Sequence, residues 1–333
     1  MAMESTSKKQ LDHPYVIVLI PVFNDWEALE KLLTSLDNSL DENYIQASIL
    51  VVDDASTILA PNHLISSDLK AIERVTTLEL KRNFGHQRAI AIGLAYIAAN
   101  LTSKVVVVMD GDGEDDPKDV PRLINRCQSE GYTKVIFARR TKRSENFIFK
   151  LFYFIYKLIY KILTGHEIRV GNFSVIPYNI LCRVVVVSEI WNHYAAGLLR
   201  ARVPYTEIAT KRGARLVGHS KMNFVSLVTH GISSISVYSD VVGIRLLIVI
   251  SLIIFLIICL LVVIVVIKLF TNLAIPGWTS YMVGILCSIL LQAIMLSIVF
   301  VLIVLSTRNS YGFIISQNYQ YFVLSVKEIF SKS

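Results

Sequence analysis

The chain has 333 residues, room for one full-sized domain with membrane segments beside it. At 53% hydrophobic and 18% charged residues it is too apolar for a wholly soluble protein, and the excess is concentrated after residue 240. A net charge of +7 fits a domain lying against an anionic leaflet; nucleic acid would account for the charge but not for the apolar runs, so no nucleic-acid partner is expected.

Residues 1–14 read as a polar tail, and residues 15–22 are too short for a signal-peptide core, so the N-terminal part is expected to stay in the cytoplasm. Residues 15–21 (YVIVLIP) predict a buried strand, and Pro21-Val22-Phe23-Asn24-Asp25 the loop leaving its carboxyl end. Leu29, Leu32, Leu33 and Leu36 recur at helical spacing, and residues 48–52 predict a second strand ending in Asp53-Asp54-Ala55-Ser56. On their own, these two carboxylates also suit a turn with helix-capping duty. A third strand near residues 75–80 runs into Lys81-Arg82-Asn83-Phe84-Gly85-His86, followed by a helix over about 87–99. Strands alternating with helices predict a mostly parallel sheet whose ligand lies beyond the carboxyl edge. No G-x-G-x-x-G follows the first strand, which disfavours a dinucleotide cofactor.

The stretch 105–117, VVVVMDGDGEDDP, predicts a short buried strand ending in a cluster of carboxylates. If the chain stays extended, Asp110, Asp112 and Glu114 share one side and Gly111 and Gly113 keep the backbone open between them. Three hard oxygen ligands at an open site suit Mg²⁺ or Mn²⁺, completed by water and substrate phosphate. The plainer alternative is an acidic loop that caps the helix beginning near Pro117 and Lys118.

After a helix near 120–130 and a strand over 134–138 comes the basic cluster Arg139, Arg140, Lys142 and Arg143. Residues 146–163 (NFIFKLFYFIYKLIYKIL) predict a helix whose Lys150, Lys157 and Lys161 fall within about 40° of one another, opposite a broad aromatic face. That pattern fits a helix in the membrane interface; a core helix with one wet edge is the alternative. Residues 171–177 predict a short strand or turn beneath the site, and helical periodicity returns over 178–196. In KRGARLVGHSKM (211–222), Arg212, Arg215, Ser220 and Lys221 place cations and donors on a loop, as a diphosphate or lipid phosphate requires; a solvated basic loop is the alternative.

Residues 246–267 and 281–305 are each long enough, at ~1.5 Å per residue, to cross a ~30 Å hydrocarbon core. Arg245 and Arg308 flank the pair and the connection 271–280 carries no charge, which predicts both termini inside despite Lys268 at its edge. Cys127, Cys182, Cys259 and Cys287 lack C-x-x-C spacing and read as reduced packing cysteines. The expected division is a tail over 1–14, an α/β domain over 15–222 with an interfacial helix at 146–164, and a juxtamembrane helix over 223–241. Spans at 244–268 and 281–305 around an outer loop at 269–280, then a cytoplasmic tail at 306–333, complete it.

The motifs taken together resemble the family 2 glycosyltransferases, and within them the polyprenyl-phosphate sugar synthases and bacterial glycosyl-lipid transferases. The matching residues are Pro21-Val22-Phe23-Asn24, Val51-Val52-Asp53-Asp54-Ala55-Ser56, Arg82-Asn83-Phe84-Gly85, the run from Asp110 to Pro117, and Arg212, Arg215, Gly218, Ser220 and Lys221. They cover about residues 15–222 in the family's order. The resemblance implies an α/β GT-A fold, Rossmann-like with a mostly parallel sheet, that binds a UDP- or GDP-linked sugar and Mg²⁺ or Mn²⁺. It implies nucleotide-sugar contacts at Pro21, Asn24, Asp53, Asp54, Asn83, Gly85 and Asp110. Metal ligation would fall to Asp110, Asp112 and Glu114. A lipid phosphate would be held by Arg139, Arg140, Arg212, Arg215, Ser220 and Lys221, with Asp110, Asp112, Arg212, Arg215 and Lys221 as the catalytic set. Gly113-Glu114 replaces a common Leu-Gln, and Asn172 stands where many relatives have Asp.

The activity so implied is inverting, metal-dependent transfer of one sugar to undecaprenyl or dolichyl phosphate at the cytoplasmic face of the inner (plasma) membrane, for cell-surface glycan such as O-antigen. The polymerising signature Q-x-x-R-W is absent. One alternative is a hydroxyl acceptor on a glycolipid, with Asp115 or Asp116 as base; another is a catalytically silent scaffold or transporter subunit, disfavoured by the intact Asp110/Asp112 pair and the Arg-rich loop and, for a transporter, by the uncharged span cores. An uncharged pair of spans leaves a homo-oligomer open.

Overall fold

The computed structural model describes residues 15–61, 69–140, 147–167, 170–211, 213, 215–217, 224–271, 273–309 and 313–332. They divide into two units, Met1–Phe152 with Ile168–Val237 and Phe313–Ser333, and Tyr153–Glu167 with Tyr238–Gly312.

The first unit begins with β1 (Val16–Val22), α1 (Trp26–Asp41), β2 (Ala47–Asp53), β3 (Ile72–Leu80), α2 (His86–Asn100) and β4 (Val105–Val108). Next come α3 (Asp119–Ser129), β5 (Val135–Arg140), α4 (Phe147–Thr164), β6 (Ser174–Pro177), α5 (Tyr178–Val184), α6 (Tyr194–Arg200), β7 (Tyr205–Thr210) and α7 (Phe224–Ser236), α4 running on into the second unit. The sheet order is β7-β5-β6-β4-β1-β2-β3, closed at its far edge by a C-terminal strand. Four pairings are parallel, β1 with β2 and β4, β2 with β3, and β5 with β7. The centre thus matches the mostly parallel expectation, but β6 is antiparallel to both neighbours.

Side chains of β1 alternate between two cores. Val16, Val18, Ile20 and Val22 meet Leu29, Leu32 and Leu36 of α1 and Leu123 of α3, whereas Ile17 and Leu19 meet Ala89, Ile92 and Leu94 of α2. The strand is hydrophobic on both faces because helices cover both, and each buried Leu or Ile contributes roughly 1.5–3 kcal/mol. A Cβ on Gly93 would collide with Leu19 and Val52, so glycine here lets α2 lie close on the sheet. The buried Asp37 of α1 accepts N–H bonds from Lys70 (2.9 Å), Ala71 (2.9 Å) and Ile72 (2.9 Å), fixing where β3 begins.

In the second unit, α8 (Ser239–Phe270) and α9 (Trp278–Asn309) pack along each other and contain the two apolar runs; both are long and apolar enough to cross a membrane. Gly243, Ile250, Ile257 and Ile264, seven residues apart, are the buried positions of α8, whereas Leu252, Phe255, Leu256, Leu291 and Leu302 are exposed. Two helices leave most of their apolar surface uncovered, as lipid-facing helices do. Arg245 donates to the Ile162 carbonyl at the end of α4 (2.6 Å), and α4 exposes Phe154, Leu158 and Ile162 on its described turns.

Where the sequence suggested only a tail after the second apolar run, the chain forms α10 (Ile315–Asn318) and β8 (Val323–Ser331). The strand pairs antiparallel with β3, some 245 positions back in sequence. Of the cysteines, Cys127 is buried, and burial pushes its thiol pKa up to about 12, whereas Cys182, Cys259 and Cys287 are exposed.

Candidate active site

The parallel strands β1, β2 and β4 deliver Asn24, Asp53, Asp54 and Asp110 to one edge of the sheet. The antiparallel β6 starts at that same edge, because Ser174 lies opposite Val108, and so it brings in Asn172.

Most of the polar groups at β1 and β2 are engaged with backbone. Asn24 adopts a left-handed conformation (φ 52°), tolerable for Asn, and its Oδ1 accepts from the N–H of Thr57 (2.8 Å) and Ile58 (2.9 Å). Asp53 accepts from the Ser56 N–H (2.8 Å). Asp54 is 3% exposed and holds the N–H groups of Phe84 (2.7 Å) and Gly85 (2.8 Å), one on each oxygen. Burial pushes its carboxyl above the usual range against the pull of those two donors. Pro21 is buried within β1. Asp54 and Pro21, expected to touch the nucleotide, are both buried. Asn83 is exposed, and Gly85 (φ 90°) ends the loop with a conformation that glycine supplies without strain.

The loop after β4 departs from the expected geometry. It turns at residues 111–113, with Gly113 at φ 83°, so strict alternation stops at Val108. Asp110, Asp112 and Glu114 are not gathered into one three-carboxylate cluster, and no grouping of three such ligands occurs among the described residues. Asp112 Oδ1 accepts the Glu114 N–H (2.9 Å). Burial, with Asp110 and Glu114 nearby, raises the Asp112 pKa, countered by that N–H and by Arg215. Asp115, a candidate base in the sequence, is 3% exposed and accepts the Asp110 N–H (3.0 Å), while Asp116 caps Lys118 (3.0 Å). Both serve the turn.

The loop between β7 and α7 crosses this turn. Gly213 N–H donates to the Glu114 carbonyl (2.8 Å) and Leu216 N–H to the Asp112 carbonyl (3.0 Å). A side chain at Gly113 would collide with Leu216, so both glycines permit the close crossing. Arg215, 16% exposed on its side chain, spans Asp25 (2.7 Å) and Asp112 (3.2 Å). It is thus a crosslink between two acidic groups at the mouth of the crevice. Arg139 pairs with Glu207 across β5 and β7 (3.5 Å). Arg212, Ser220 and Lys221, and the Arg140 side chain, lie outside the described residues.

Sequence reading missed the opposite wall. His86, the first residue of α2, lies 3.0 Å from Asp110 and 3.1 Å from Asn172 Nδ2. Gln87 donates to Asn172 Oδ1 (3.3 Å) while its own Oε1 accepts the Tyr194 N–H (2.7 Å). Burial opposes the imidazolium, but Asp110, Asp112 and Asp115 outweigh it and raise the His86 pKa. Behind it, His193 caps α6 by accepting from Ala196 N–H (3.3 Å) and meets His230 of α7 with ring centres 4.7 Å apart. Burial, with His230 and His86 nearby, lowers the His193 pKa to about 3. The signal available was position alone: His86-Gln87 directly follow Arg82-Asn83-Phe84-Gly85.

Asp110 and Asp112 at an open, oxygen-rich crevice fit a hard divalent cation that takes most of its shell from water and phosphate, without a third carboxylate.

Parallel strands with carboxylates at the carboxyl edge, one antiparallel insertion and a cross-folded basic loop define a GT-A-type α/β fold. Over 69% of this chain it matches the crystal structure of glucosyl-3-phosphoglycerate synthase from Mycobacterium tuberculosis, covering 80% of that chain with a TM-score of 0.50 and 13% identity. The Glycosyl transferase family 2 model matches residues 17–191, and the chain belongs to that family. It is 27% identical over 289 residues to the uncharacterized glycosyltransferase YkcC of Bacillus subtilis (strain 168), covering 81% of this chain and 83% of that protein. It is also 28% identical over 132 residues to an undecaprenyl-phosphate 4-deoxy-4-formamido-L-arabinose transferase of Erwinia tasmaniensis, covering 40% of this chain and 39% of that one.

Proposed function

We propose that this family 2 glycosyltransferase moves one sugar from a UDP- or GDP-linked donor to a polyprenyl phosphate, with inversion and with Mg²⁺ or Mn²⁺, at the cytoplasmic face of a membrane crossed by α8 and α9. The observation that carries this reading is the convergence of Asp110, Asp112 and Arg215 at the carboxyl edge of β4. The donor side is supported by the neighbour structure, which contains Mn²⁺ and UDP-glucose, and the acceptor by the name of the Erwinia relative. Both ends of the apolar helix pair connect to the same unit, which supports both termini on one side of the membrane.

Asp112, with Asp110 beside it, would hold the divalent cation, which when bound stabilises charge on the departing diphosphate. Arg215, released from Asp25, would add a second cation there, and Asn24, Asp53 and the backbone they tie would form the rim facing the nucleotide. A lipid phosphate, with a second pKa of about 6, attacks the anomeric carbon as an anion and needs no strong base. A hydroxyl acceptor does need one, and Asp115 is buried in the turn. The sugar lipid so made would feed cell-surface glycan.

The test is full-length protein in detergent with undecaprenyl or dolichyl phosphate and a panel of UDP- and GDP-sugars, with and without EDTA. Metal-dependent appearance of one sugar in the lipid fraction, with inverted configuration, is expected. Transfer only to glycolipid hydroxyls, or a retained configuration, would overturn the acceptor or the stereochemistry.

A further inference from the structure

The segment after the apolar helices lies beyond the family match, which ends at residue 191. It does more than extend the sheet. Lys81 N–H donates to the Phe322 carbonyl (2.9 Å), Val323 pairs with Leu80, and Lys327 and Ser325 both bond Glu79. Ile315 is fully buried, and Tyr319 accepts from Asn100 of α2 (2.9 Å). The segment therefore clasps both β3 and α2, the two elements that bracket residues 81–85.

Those residues lead into the crevice. The Phe84 ring meets Phe322 edge to face, with centres 5.1 Å apart, and Trp191 at 6.3 Å. Trp191 in turn packs on Phe322 (5.1 Å) and Phe313 (4.8 Å), and Arg82 lies over the Phe84 ring (4.5 Å). On the other side of the same residue, Asp54 holds the N–H groups of Phe84 and Gly85, and the next residue, His86, reaches Asp110. Phe84 is thus gripped by its backbone from β2 and by its ring from the C-terminal segment. Removing the Phe322 ring leaves the loop to the Asp54 carboxylate, the Trp191 contact and the Lys81 backbone bond.

We propose that Phe313 and Phe322 are positioning residues for the nucleotide-sugar site, acting through Phe84 on the loop that carries Gly85 and His86. This rests on the reading of that crevice as the donor site. The C-terminal segment is then a working part of the catalytic unit, joined by chain connectivity to the end of α9.

The test uses full-length protein in detergent with Mg²⁺ or Mn²⁺, measuring UDP and GDP binding by calorimetry together with donor and acceptor kinetics. Phe322→Ala is expected to raise the nucleotide Kd and donor KM about tenfold, as loss of its aromatic contacts with Phe84, Trp191 and Phe313 allows, with acceptor KM and kcat changed less than twofold. Phe322→Tyr, which keeps the ring, should restore donor affinity, and Leu324→Ala, exposed two residues on in β8, should match wild type. Unchanged Kd and donor KM in Phe322→Ala would overturn the proposal, as would equal losses for donor and acceptor. Should Phe322→Ala fail to fold, Phe313→Ala decides, with a wild-type Kd there counting against it. Wild-type protein that binds neither nucleotide would instead remove the donor-site reading, and this inference with it.

Discussion

The ends of β2 and β4 carry similar acidic pairs, Asp53-Asp54 and Asp110 with Asp112, yet the fold uses them differently. At β2 the carboxylates are matched by backbone donors, and Asp54 spends both oxygens on Phe84 and Gly85. At β4 the carboxylates crowd one another and meet side-chain cations, Arg215 and His86, which can move without unfolding the loop. A saturated carboxylate builds; a crowded one with exchangeable partners can take a ligand. Residue type and spacing do not separate the two, because the difference lies in which donors the turn brings into contact.

Substitution should separate them. Asp112→Asn is expected to cost about 100-fold or more in kcat, the scale for losing a charge-stabilising group, with membrane insertion and thermal unfolding unchanged. Full activity in that variant would end the distinction. Asp54→Asn should instead destabilise by about 2 kcal/mol, since an amide donor replaces one acceptor opposite a buried N–H, and the loss should appear in the unfolding midpoint.

His193 offers a check away from both loops. Its pKa is lowered from 6.5 to about 3, so the folded state binds fewer protons than the unfolded one below pH 6.5. Stability is fully present above that pH and falls as the pH drops; acidifying from 6.5 to 5 should cost about 2 kcal/mol. His193→Asn keeps an acceptor for the Ala196 N–H and should flatten that dependence, as read from melting curves at the two pH values.

The smallest effect is expected at the β3–β8 seam. Burial raises the Glu79 pKa, but the bonds from Lys327 and Ser325 outweigh it, so the carboxyl lies below its usual range. That stabilisation is present above about pH 4.5 and is lost as the pH falls through the lowered value. Lys327→Ala, at a half-exposed pair, should cost under about 1 kcal/mol and shift only acid unfolding.

Much of this was legible in the sequence because it is local. The period-two and continuous apolar runs of β1, β2 and β4, the leucine spacing of α1, the polar residues collected at strand ends and the two long apolar helices all follow from side-chain pattern. The ordered motifs were enough to place the chain among family 2 glycosyltransferases. They also marked Asp110 and Asp112 for the crevice, since a buried strand must end in a loop at the sheet edge.

What only the tertiary structure decided is non-local. The chain leaves extended conformation after Val108 and turns over 111–113, with Gly113 left-handed, so Asp110, Asp112 and Glu114 do not form one cluster. The antiparallel β6 carries Asn172 to His86, a meeting of positions 86 residues apart. Arg215 crosses to Asp25, 190 residues earlier. β8 shows no sustained alternation, since most of its side chains are exposed, and its place beside β3 is set by backbone pairing together with contacts from Ser325 and Lys327 to Glu79 and from Glu328 to Arg74. Pattern reports what each segment must bury, and contact with distant donors decides what each polar group does.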